Sequence, residues 1–212
     1  PASLSLFAHP GTDYGDFKDF AHRTTALDNR ITLIDVGSYD TWYSRALDKG
    51  WRLAPVNDED FRGAVSSGRT VVYAQSLTEA GIYDALENYR VYATQDSDLL
   101  IDYTLDGFPM GSRLKYWDVG ETVEIVLELD DPSDSAIGFV EVLADGAEAI
   151  GQASVADSSA TVEFTPSSEY SYYYIRVTQP DADVAVTAPV WIDQTQYLGI
   201  SGFYGDRDVP VQ

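Results

Sequence analysis

At Asp96 the spacing of apolar residues changes period, and that change bounds the folds open to this 212-residue chain. Beyond it, Leu99, Ile101, Tyr103 and Leu105 alternate with Asp102 and Thr104; later, Val123, Ile125, Leu127 and Leu129 alternate with Glu124 and Glu128. A period of two puts the apolar side chains on one face of an extended strand. Asp106-Gly107 and Asp130-Asp131-Pro132 supply turns, and further strands are expected over Gly138 to Leu143, Ala160 to Phe164, Tyr170 to Thr178 and Val184 to Ile192. Short strands punctuated by turn residues predict an antiparallel β-sandwich over residues 96–198.

Before Asp96 the pattern mixes both periods. Leu4 to Ala8, Ile31 to Val36, Leu53 to Val56 and Arg69 to Ala74 are short apolar runs of buried-strand type, and residues 17 to 22 allow a brief helical turn. From Tyr39 to Lys49, Trp42, Tyr43, Ala46 and Leu47 share one helical face, ended by Gly50. Ser76-Leu77-Thr78-Glu79 opens a second helix that runs through Tyr89. Strands alternating with helices predict an α/β domain with a parallel sheet over residues 1–95. Residues 199–212 carry Gly, Asp and Pro without a period and are expected to be a linker or a partner strand.

Composition narrows the partners. The chain has 25 Asp and 10 Glu against 3 Lys and 10 Arg, a formal charge of -22. Such a field repels polyanions, which argues against nucleic acid and anionic lipid as partners. It also suits high ionic strength, where salt screens self-repulsion, so composition is equally in keeping with a saline habitat and with a plain acidic exterior. No run of 18 apolar residues predicts a membrane span, and with no cysteine there is neither a disulfide framework nor a thiolate metal site.

Chemistry is concentrated in Trp51 to Arg62, WRLAPVNDEDFR, where a short apolar run is stopped by Asn57 and empties into Asp58, Glu59 and Asp60. In α/β chains ligands collect at the carboxyl ends of strands. His9 stands at another such end, before Pro10. A solvated acidic loop and an Arg62–Asp60 ion pair are the plain alternatives there. His22 is expected to be exposed. Asp130, Asp131 and Asp134, and separately Asp181 and Asp183, offer oxygen ligands for calcium, but neither group follows a 12-residue calcium loop and turn chemistry is favoured. In the run Tyr170 to Tyr174, alternation assigns Tyr173, Ile175 and Val177 to the core and Tyr172, Tyr174 and Arg176 to a half-exposed sheet surface.

The segments FAHPG, ALDNRITLIDVGSY, YSRALDKGWRLAPVNDEDFRG, RTVVYA and IYDALENYRVYATQDSDLLIDYTLDGFPMGS, continued by YYYIRVTQ and TAPVWI, resemble the carboxyl-terminal part of a PHP-domain (polymerase and histidinol phosphatase) metallohydrolase of the CehA/McbA type. Order and spacing carry the likeness, over residue 4 to about 192. It implies that residues 1–95 are half of a distorted barrel of parallel strands and helices, in which zinc, iron or manganese activates water against a phosphate ester. His9 matches the family's His-Pro metal ligand, and Asp60 matches the aspartate of its Asp-x-His pair. Where that pair has histidine this chain has Arg62, whose guanidinium stays protonated and offers a metal no lone pair. Arg62 then either neutralises Asp60, the safer expectation, or as a functional alternative clamps a phosphate.

The family's amino-terminal half, with its His-x-His motif, is absent from this sequence, which holds two histidines in all. Two functions follow as expectations. One is the fragment of a metal-dependent phosphoesterase with a degraded metal site, completed by an amino-terminal half from its precursor or another chain. The other is a non-enzymatic secreted or surface scaffold that associates with neighbouring chains through its sheet edges and residues 199–212.

Overall fold

The computed structural model describes residues 4–11, 16–36, 41–57 and 68–194. Its first part runs β1 (Ser5–Phe7), α1 (Thr25–Asp28), β2 (Ile31–Asp35), α2 (Thr41–Asp48), β3 (Ala54–Val56), β4 (Arg69–Val72), α3 (Glu79–Glu87) and β5 (Val91–Thr94). Then come β6 (Leu100–Leu105), β7 (Phe108–Pro109), β8 (Arg113–Lys115), β9 (Ile125–Asp130), β10 (Gly138–Ala144) and β11 (Glu148–Val155). The last strands are β12 (Ser159–Phe164), β13 (Tyr172–Thr178), β14 (Val184–Thr187) and β15 (Val190–Asp193).

Three layers stack. The outer one is a four-stranded antiparallel sheet ordered β12-β9-β6-β7. The central one is ordered β11-β10-β13-β14-β5-β4, with β15 pairing with both β13 and β8. The third is the parallel trio β1-β2-β3 with α2 beside it. Ile101, Tyr103, Leu105, Ile125 and Leu127 of the outer sheet pack against Val140, Val142, Tyr173, Ile175 and Val177 of the central one. These are the alternating residues of the sequence, and each apolar side chain removed from water contributes about 1.5–3 kcal/mol. The hairpin β6–β7 turns at Asp106 (φ 49°) and Gly107 (φ 76°), the two left-handed positions a tight Asp-Gly turn requires.

The central sheet is covered on its second face as well. Ala93, Leu143, Tyr172, Tyr174 and Val186 join Tyr43, Ala46 and Leu47 of α2, Trp51, Leu53 and Ile34 in a second cluster. Tyr43 and Tyr174 meet edge to face at 5.3 Å, and the Tyr43 hydroxyl lies 3.2 Å from the carbonyls of both Leu53 and Thr187. Tyr172 and Tyr174, expected on a half-exposed surface, are therefore core residues: a sheet sandwiched between two layers has no wet face.

The α/β barrel expected for the first part, with parallel strands clothed by helices, does not form. The molecule is mostly strand, with mixed and antiparallel sheets. Among the described residues the α-helices have 4, 8 and 9 residues, too little to wrap a barrel. Within this first part, parallel pairing stops at β3. β4 runs antiparallel to β5, Val72 opposite Val91, and both belong to the central sheet. The strand–helix–strand pattern misled because α3 buries only Ala85 fully: it reverses the chain instead of carrying it across a sheet face. Residues 17–20 turn with left-handed backbone, not as an α-helix.

Among the described residues no helix is long and apolar enough to cross a membrane.

Candidate functional site

Parallel pairing brings one candidate centre together. Phe7 lies opposite Ile34, so the chain leaving β1 and the last residue of β2 emerge at the same end of the trio. There His9 Nδ1 meets Asp35 Oδ2 at 3.0 Å. Asp35 is buried, His9 is partly exposed, and His9 has left-handed backbone (φ 49°), uncommon for a residue with a Cβ. With Nδ1–H turned to the carboxylate, Nε2 carries the lone pair, the tautomer used where a carboxylate orients a metal-binding imidazole. β3 ends beside them, Val56 opposite Asp35. Asn57 follows, its backbone N–H donating to Thr70 Oγ1 at 3.0 Å and its side-chain nitrogen to the Thr94 carbonyl at 3.4 Å.

Of the residues singled out from the sequence, His9 is thus paired with Asp35, whereas Asp58, Glu59, Asp60 and Arg62 lie outside the described residues. His22 is exposed, as expected. Asp35 was missed. Its signal is there in ITLIDV, an acid closing an otherwise buried strand, where an unpaired carboxylate would be costly. A pocket of about 610 Å³ opens elsewhere, lined by Leu4, Asn29, Arg30 and Thr32, at the amino ends of β1 and β2.

A second cluster lies at one end of the sandwich. Asp96 follows β5, Asp131 and Asp134 follow β9, and Gln179 follows β13. The three aspartates bring carboxylate oxygens within 4.8 Å of one another. Asp131 has no exposed surface, and Gln179 is nearly as buried. Backbone groups hold the acids in place: the Asp98 and Leu99 N–H groups donate to Asp96 Oδ1 at 2.7 and 2.6 Å, and the Asp134 N–H to Asp131 Oδ1 at 3.1 Å. Burial pushes the Asp131 carboxyl above its ordinary range, and Asp96, Asp134 and Asp98 add to the push against the opposing Asp134 N–H. Asp183 is raised by burial and then by Asp181, Asp96 and Asp134. Asp130, one of the acids singled out with Asp131, is instead exposed.

Fold and sites together define a β-rich, sandwich-like protein with a small parallel layer at its back. Comparison with known protein families, curated proteins and solved structures finds no match.

Proposed function

We propose that this chain is part of a metal-dependent phosphoesterase of PHP type whose metal centre is only partly represented here. The observation that supports it most is the His9–Asp35 pair at the carboxyl ends of the parallel trio, beside the end of β3, which Asp60 and Arg62 follow in the sequence. No closed barrel is needed for this reading. His9 suits zinc, iron or manganese, because a neutral imidazole oriented by a carboxylate is a good borderline ligand. Asp60 would be a second ligand, and a bound divalent ion would supply an activated water and neutralise developing charge. Asp35 holds the His9 tautomer, and Arg62 clamps the phosphate. An amino-terminal half, from the same precursor or another chain, completes the ligand set.

Elemental mass spectrometry on purified full-length material, with the amino-terminal half present, run beside a phosphodiester assay, tests this. Zinc, iron or manganese near stoichiometric, lost in His9→Ala and reduced about 10- to 100-fold in affinity in Asp35→Asn, is the expected result. No bound transition metal and no turnover would overturn it. The second reading, a secreted or surface scaffold without catalysis, then takes its place. It is favoured by Arg62 standing where a metal ligand is needed, and by a central sheet packed on both faces.

A further inference from the structure

We propose that Asp96, Asp131, Asp134 and Gln179 form a calcium site that ties together three connections at one end of the sandwich. Two fully buried aspartates contrast in their surroundings. Asp28 collects two guanidiniums, Arg23 and Arg52. Asp131, equally buried, collects no cation: among the described residues, Asp96, Asp98, Asp131, Asp134, Asp181 and Asp183 make no ion pair with Lys, Arg or His. A buried carboxylate with further acids around it is unfavourable unless something positive completes it.

Gln179 points to a cation independently of the acids. Its side-chain nitrogen donates to Asp131 Oδ2 at 2.5 Å and lies 3.4 Å from Asp134 Oδ2, so the amide sits inside the cluster. Its Oε1 is buried without a hydrogen-bond partner. A buried carbonyl oxygen left without a donor costs about 1–3 kcal/mol. Rotating the amide by half a turn exchanges nitrogen and oxygen and aims Oε1 at the carboxylates. That arrangement is repulsive between acceptors alone and favourable around a cation.

The donor set chooses the ion. Every candidate ligand is oxygen, which suits a hard cation over zinc or copper. Calcium–oxygen distances of about 2.4 Å place ligands on opposite sides of the ion about 4.8 Å apart, so carboxylate oxygens within 4.8 Å of one another fit one coordination sphere. Magnesium is smaller, demands a near-ideal octahedron and gives up its water reluctantly. Asp98, whose Oδ1 accepts from Ser133 Oγ at 2.7 Å, and Asp183 border the cluster and add negative field without being needed as ligands. The ligands come from the β5–β6, β9–β10 and β13–β14 connections. The first two cross between the sheets and the third lies within the central one, so the ion acts as a staple between the two sheets.

Calorimetric titration of the chelator-treated protein with calcium chloride, at constant ionic strength, tests the proposal. Expected are saturable binding, a rise in Tm with calcium, and a much smaller rise with magnesium. Asp96→Asn and Asp134→Asn should each weaken calcium binding tenfold or more, while His9→Ala leaves it unchanged. Asp131→Asn should melt higher than the parent without calcium and lose the calcium response, since it removes the buried charge and the ligand together. Gln179→Glu separates a ligand from a merely structural amide: as a ligand, a fourth carboxylate lowers Tm without calcium and enlarges the calcium shift. Loss of stability in Gln179→Glu that calcium does not recover would overturn the proposal, as would equal shifts with calcium, magnesium and sodium or undiminished binding in the Asp96→Asn/Asp134→Asn variant.

Discussion

Asp28 shows how an acid is buried when its charge is answered. It accepts the Arg52 backbone N–H at 3.0 Å, Arg52 Nε at 2.7 Å and Arg23 Nη2 at 2.8 Å, tying the end of α1 to the residue before Leu53. Burial alone would raise its pKa, but these hydrogen bonds outweigh it and hold the carboxyl below its ordinary 3.8. A depressed folded-state pKa contributes stability that is present above 3.8 and lost as pH falls through the folded value. Asp28→Asn should therefore cost about 2 kcal/mol near neutral pH, read as a lower urea midpoint, because hydrogen bonds to a charged group are lost. It should also remove this part of the acid-induced loss. An unchanged midpoint would mean that the two arginines are as well satisfied by water. From the sequence, ALDNR gives no sign of this role, since both partners are set by folding.

At the scale of elements, two glycines separate local turn chemistry from tertiary crowding. Gly107 sits in the β6–β7 turn at φ 76°, and a Cβ there would meet nothing within 4 Å. Gly138 opens β10 at φ 99°, and a Cβ there would lie 2.4 Å from the Thr178 carbonyl. Gly107→Ala should cost about 1 kcal/mol, the left-handed penalty alone. Gly138→Ala should cost at least twice that, because β10 must also part from β13. Urea unfolding of the two variants checks the order, and equal losses would contradict it. The Asp-Gly turn was legible because its requirement is written in two adjacent residues. The demand on Gly138 was not, because the atom it avoids lies forty residues away. The same holds for β4 and β5: their apolar content announced strands, whereas their antiparallel pairing depends on α3 failing to cover a sheet.

Over the whole molecule, net charge and open edges set behaviour. With a charge of -22, stability should rise with sodium chloride as self-repulsion is screened over a Debye length of about 10 Å at 0.1 M. Among the described residues β1 pairs with no strand but β2, and an open edge of this kind is expected to pair with further chain. Calorimetry and light scattering over one salt series check both expectations. Melting should move upward with salt, and association through the edge should persist, because backbone pairing is not electrostatic. A monodisperse monomer with salt-independent melting would contradict the pair.

The candidate sites were legible to different degrees. His9 was found from a strand that ends in His-Pro, and Asp131 and Asp134 from a turn. Their partners Asp35, Asp96 and Gln179 were not, since each lies on another strand or connection. Strand positions, the Asp-Gly turn and the buried face of α2 follow from side-chain period and backbone preference, which act within a few residues. Strand direction, the second buried face of the tyrosine strand and the meeting of Asp96, Asp131, Asp134 and Gln179 required the packed molecule, because each depends on groups brought together only when three layers close on one another.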